Sequence, residues 1–104
     1  MYNNEDTLKA IRTKCQEVLL KWEIIDRTIE PTSVVVHNPE TKVSLKSELM
    51  EEDGHVYAII YKITDQTSII RPLRGTVIFY TDGDLHCEYS GFKSEEDILN
   101  SLNK

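Results

Sequence analysis

Residues 8–29 read LKAIRTKCQEVLLKWEIIDRTI, and the fold turns on what this stretch becomes. Leu8, Ile11, Cys15, Val18, Trp22, Ile25 and Ile29 recur at intervals of three and four, which keeps them on one side of a helix. The spacing predicts one long amphipathic helix, capped at Asn4 or Asp6 and running to Arg27 or Thr28. Pro31 ends it, because a proline disfavours helix at Glu30 and brings no amide donor. Glu17 with Lys21 and Glu23 with Arg27 form i,i+4 pairs on the opposite face, each worth about 0.2–0.5 kcal/mol.

Working outward from the helix, the period changes from helical to alternating. Ser33–His37, with its Val34-Val35-Val36 run, reads as a strand. Asn38-Pro39-Glu40-Thr41 reads as a tight turn. In Lys42–Met50, Val43, Leu45 and Leu49 share one face while Ser44, Lys46 and Glu48 share the other. Glu51-Glu52-Asp53-Gly54 is a polar turn before His55–Thr64, a strand apolar on both faces, with Val56, Ala58 and Ile60 alternating with Tyr57, Ile59, Tyr61 and Ile63. Residues 65–75 read as a long connection with room for a short Ser68–Ile70 strand.

Gly75–Thr81 and Asp84–Ser90 flank Asp82-Gly83, a pair favoured in type I′ hairpin turns. A two-residue loop there sets Ile78 opposite Cys87, Tyr80 opposite Leu85, Phe79 opposite His86 and Val77 opposite Glu88. On that register Ile78, Tyr80, Leu85 and Cys87 face the long helix, and Tyr57, Tyr61, Val77 and Phe79 belong to a second apolar face. Ser94-Glu95-Glu96-Asp97 opens a closing helix whose buried side is Ile98, Leu99 and Leu102. The expected fold is α+β: a long N-terminal helix packed on a mainly antiparallel sheet of about five strands, with a short C-terminal helix, forming one domain over residues 1–104.

Eighteen acidic against twelve basic residues give a formal charge of −6. That field repels phosphate backbones and anionic lipid headgroups, so neither nucleic acid nor membrane is an expected partner, whereas a basic protein surface is. No apolar run approaches the ~20 residues of a membrane helix, and no charged start followed by an apolar run marks a signal peptide. Cys15 and Cys87 form no C-x-x-C. Reduced thiols in a cytoplasmic chain, both buried in one core, are the expectation.

No constellation of residues demands catalysis or a cofactor. Asp82, Asp84, His86 and Glu88 cluster in sequence, but too few can converge for zinc or calcium. His86 and Cys87 are strand neighbours pointing to opposite faces, which rules them out as a nucleophile and base. Arg71 and Arg74 could grip an anion, or neutralise the chain's own carboxylates.

Residues 76–104 resemble the closing strand-strand-helix of thioredoxin-like proteins: a Thr-Val-Ile-Phe-Tyr strand, a turn at Gly83, then Gly91-Phe92 before a helix. Gly75 stands where that family has a proline, and the redox C-x-x-C is missing. The resemblance therefore implies no redox function.

The functional expectation is a small acidic, non-enzymatic binding module of the inhibitor, immunity-type or adaptor kind. Its contact residues would be Glu51, Glu52 and Asp53, the apolar Tyr57, Tyr61, Val77 and Phe79, and the arginines Arg71 and Arg74. A second copy of the chain is also an admissible partner. The competing expectation is a small-molecule site or an enzyme assembled from separated His37, His55, Arg71 and Arg74.

Overall fold

The computed structural model describes residues 4–28, 32–65, 73–81 and 87–103. Its elements are α1 (Asn4–Lys21), β1 (Glu23–Thr28), β2 (Ser33–Asn38), β3 (Val43–Glu52), β4 (His55–Asp65), β5 (Leu73–Tyr80), β6 (Cys87–Ser90) and α2 (Glu95–Leu102). The class is α+β as expected. Among the described residues, however, the sheet has six strands in the order β1-β2-β3-β4-β5-β6, and the additional one comes from the tail of the opening stripe.

The long helix stops at Lys21, with the Trp22 amide donating to the Val18 carbonyl at 2.9 Å. From Glu23 the chain pairs with β2, Glu23 opposite His37 and Ile24 opposite Val36. Ile25 is then an extra residue in a bulge, after which Asp26 faces Val35 and Arg27 faces Val34. Ile24, Ile25 and Thr28 are β-branched, and β2 offers them a ladder of backbone partners that continued helix would leave unpaired. Ile25 is accordingly half-exposed, and the Glu23–Arg27 helical pair does not exist. The Glu17–Lys21 pair does, at 2.7 Å. Ile29 and Pro31 lie outside the described residues, as does Ser68–Ile70.

Every strand pairs antiparallel with its neighbour in sequence, so the likeness of residues 76–104 to thioredoxin-like proteins is confined to their local order. Asp53 and Gly54 both have positive φ, 51° and 81°, and Glu52 pairs with His55. This is the two-residue turn geometry that matches strand twist. Between β2 and β3 the Asn38 side chain accepts from the Glu40 amide at 3.0 Å while its carbonyl accepts from the Lys42 amide at 2.8 Å.

The β5–β6 register differs by one residue from the expected one. Phe79 pairs with Cys87, Ile78 with Glu88, and Val77 with Tyr89. This leaves an odd number of residues between paired positions, which a two-residue Asp82-Gly83 loop cannot give. Residues 82–86 themselves lie outside the described residues. A one-residue slip exchanges the faces of a strand, so Val77 and Phe79 point toward the helices and Ile78 and Tyr80 away.

The core follows from that exchange. Ile11, Cys15 and Val18 of α1 and Ile98 and Leu102 of α2 pack in one cluster with Val36, Val43, Leu45, Tyr61, Ile63, Val77 and Phe79. Both helices therefore cover one face of the sheet. Ser94 caps α2, its side chain accepting from the Asp97 amide at 3.3 Å. Gly75 lets β5 run close to the β6 end: a Cβ there would lie 2.4 Å from the Ser90 carbonyl oxygen and 2.6 Å from the Phe92 ring.

Candidate functional site

Three residues expected on a partner-binding surface are interior. Tyr61, Val77 and Phe79 are 2 %, 0 % and 3 % exposed, the two rings meeting edge to face with centroids 6.0 Å apart. Burial, reinforced by the nearby Cys15, pushes the Tyr61 hydroxyl up to about 12. The expected hairpin register put Val77 and Phe79 on the second face, and Tyr61, expected there with them, instead lies under the helices opposite Val77.

Arg74, partly exposed, is paired within the chain. Its Nη2 and Nε donate to Oδ2 of buried Asp65 at 2.8 and 3.3 Å, joining the ends of β4 and β5. A guanidinium so placed stabilises its own carboxylate rather than awaiting a ligand. Arg71 lies outside the described residues. His37 sits at the same end of the sheet, its Nδ1 2.8 Å from the Ser44 hydroxyl. His55 begins β4, an eleven-residue strand that ends at Asp65, and so stands about 33 Å away at the usual rise per residue. His37, His55 and Arg74 do not converge.

Cys15 is buried in the core, while Cys87, expected to be buried with it, is half-buried and packs against that core. Burial, with Cys87 nearby, pushes the Cys15 thiol up to about 12. Burial and the carboxylates of Glu95 and Glu88 push Cys87 up to about 11. Raised thiols are poor nucleophiles at neutral pH. Among the described residues no group of three or more His, Cys, Asp or Glu is placed to hold a metal ion, and no helix is long and apolar enough to cross a membrane. Asp82, Asp84 and His86 lie outside the described residues.

The acidic tip of the β3–β4 hairpin is different. Glu51, Glu52 and Asp53 are exposed, and none has an ion-pair partner among the described residues. Val56 and Tyr57 beside them are 37 % and 41 % exposed. The tip is nonetheless fixed. The Thr81 hydroxyl and amide, beyond the end of β5, donate to the Val56 and Tyr57 carbonyls at 3.0 Å each.

The face of the sheet away from the helices forms three transverse rows on the observed registers. The first carries Val35, Lys46, Lys62, Thr76 and Ser90; the second Glu48, Ile60, Ile78 and Glu88; the third Met50, the buried Ala58 and Tyr80. Glu48 is 2.8 Å from Lys46 and 3.9 Å from Lys62, and these lysines hold its carboxyl below the ordinary range. The Tyr80 hydroxyl donates to Glu88 at 3.2 Å. A half-buried apolar strip of Met50, Ile60, Ile78 and Tyr80 thus runs beside the acidic tip. Sequence reading missed it because it took the Ile78 and Tyr80 side for the interior.

A third feature is an open groove of about 400 Å³ between α1 and α2, lined among others by Asp6, Ala10, Glu96, Leu99 and Asn103. Asp6 and Glu96 lie in the first turns of their helices, where carboxylates complement the helix dipole.

No protein-family model matches the chain, and comparison with curated proteins and with solved structures gave no match.

Proposed function

We propose that this chain is a small acidic, non-enzymatic protein-binding module of the inhibitor, immunity-type or adaptor kind, acting in the cytoplasm. It engages a basic surface of its partner through the β3–β4 tip. The observation that supports this reading is the tip itself: three exposed carboxylates without ion-pair partners among the described residues, on a hairpin pinned by Thr81, beside exposed Tyr57 and Val56. Preorganised charge beside an aromatic anchor is what fast, oriented association with a basic protein uses. Loose surface acids serving only solubility need no such backbone support.

The test is capture from native lysate with the intact chain as bait, identification of the bound protein by mass spectrometry, and repetition with a Glu51→Gln, Glu52→Gln, Asp53→Asn triple variant and with Tyr57→Ala. A basic protein recovered by the parent chain and lost with the triple variant supports the reading. Recovery of nothing, or equal recovery by all three baits, overturns it.

A further inference from the structure

The direction of the two helices decides what the groove between them can hold. α1 leads into β1 at the end of the sheet where Glu23 lies opposite His37 and His37 opposite Ser44. β6 delivers the chain to α2 near that same end, because Ser90 lies in the row of Lys46, two residues along β3 from Ser44. With both helices packed on one face, α1 ending where α2 begins, they run in opposite directions. Asp6, in the first turn of α1, is thus set toward Asn103, while Glu96, in the first turn of α2, stands at the other end of the groove. Glu96 to Asn103 spans about 10 Å at the usual helical rise. Between the two carboxylates Ala10 and Leu99 supply apolar surface.

Neither Asp6 nor Glu96 has an ion-pair partner among the described residues, whereas Glu5 and Glu17 of α1 each pair with a lysine one turn along. Complementing a helix dipole asks only for a carboxylate in the first turn, which Glu5 in α1 and Glu95 and Asp97 in α2 also provide. It does not explain why Asp6 and Glu96 border one groove. Two negative ends joined by apolar surface complement a molecule with two positive ends joined by methylenes. We infer that the groove binds a linear aliphatic diamine or polyamine, one ammonium at Asp6, the other at Glu96, and the methylene chain along Ala10 and Leu99. A nitrogen spacing of about 6–8 Å, with a charge-assisted hydrogen bond of about 2.8 Å at each end, fits that length. The volume of about 400 Å³ is that of a small-ligand site. A lysine or arginine of a partner protein brings one positive end and leaves a carboxylate unmatched, and a single metal ion cannot reach both.

The groove is separate from the acidic tip, which supplies its control. Isothermal titration calorimetry of the full chain with putrescine, cadaverine and spermidine at physiological salt tests it, with circular dichroism to verify that each variant folds. Saturable one-to-one binding is expected, weakened about tenfold by Asp6→Asn and about tenfold by Glu96→Gln. Ala10→Leu fills the groove without changing its charge and is expected to abolish binding. Butylamine, with one ammonium, and magnesium ion, with no chain, are expected to bind about tenfold or more weakly than the diamines. A Glu51→Gln, Glu52→Gln double variant removes as much charge as Asp6→Asn with Glu96→Gln, but at the tip, and is expected to bind as the parent does. Absence of saturable binding, equal losses in the two double variants, equal affinity for magnesium, or an Ala10→Leu variant that still binds overturns the inference. None of these results bears on capture of a basic protein by the tip.

Discussion

Replacing Phe79 with alanine measures which side of β5 is the inside. The ring is 3 % exposed and packs against Tyr61, itself buried. Truncating a buried phenylalanine costs about 3–5 kcal/mol through lost transfer energy and the cavity left behind. Small domains hold about 5–15 kcal/mol in all, so a third or more of the stability is at stake. With a urea dependence of about 1.5 kcal/mol per molar, the unfolding midpoint falls by about 2–3 M. Ile78→Ala, one residue away on the open face and only half-buried, removes fewer contacts and costs about 1 kcal/mol. Urea unfolding of the parent and both variants reads both numbers. The register that Asp82-Gly83 suggests puts Ile78 inside and predicts the opposite order. A Phe79→Ala cost below about 1 kcal/mol, or one smaller than that of Ile78→Ala, would refute the observed pairing.

Two further outcomes follow from the packing. Gly75→Ala drives a methyl to 2.4 Å from the Ser90 carbonyl, backbone that cannot retreat without breaking the Thr76–Ser90 pairing. A loss of about 1–3 kcal/mol is expected, seen as a lower Tm by calorimetry, and an unchanged Tm defeats the close-approach account. Stability also falls in alkali. Cys87, Cys15 and Tyr61 are raised to about 11, 12 and 12 from ordinary values of 9.0, 9.0 and 10.0. Folding therefore favours their protonated forms; that contribution is complete below about pH 9 and is lost as pH rises through the folded values. Urea midpoints measured from pH 8 to 11 should decline, less steeply in Cys15→Ala, and a flat profile contradicts the burial of these groups.

The architecture was largely legible because hydrophobic period carries it: α1 as far as Trp22, β2 to β5 and the Ser94 cap of α2 all follow from local pattern. Two misreadings share a cause, a local signal outweighed by long-range pairing. Ile25 and Ile29 continue the helical spacing, yet Ile24 and Ile25 suit a strand equally, and the choice lies with β2, whose free edge no local window contains. The Asp-Gly turn signal holds at Asp53-Gly54 and fails to set the register at Asp82-Gly83. With that single slip the expected surface residues Val77 and Phe79 are buried and Ile78 and Tyr80 lie half-buried on the open face. Cys87 stays on the helix side as expected, half-buried and paired with Phe79 instead of Ile78, so its place beside the core that holds Cys15 stands. Of the candidate surface, the acidic run was readable as charge, but its fixation by Thr81 depends on a contact between Thr81 and residues 56 and 57 that spacing does not encode.

The sequential strand order has a kinetic consequence. Every ladder joins neighbours along the chain, so the sheet can zip up from local hairpins, a low-contact-order route that favours rapid assembly. The packing of α1 on α2 joins the first element to the last and must await the rest. Until both helices dock, the Leu45, Tyr61, Val77 and Phe79 layer lies bare. The transient species to expect in refolding is therefore a formed sheet with an uncovered apolar side, the state in which this chain is most prone to aggregate.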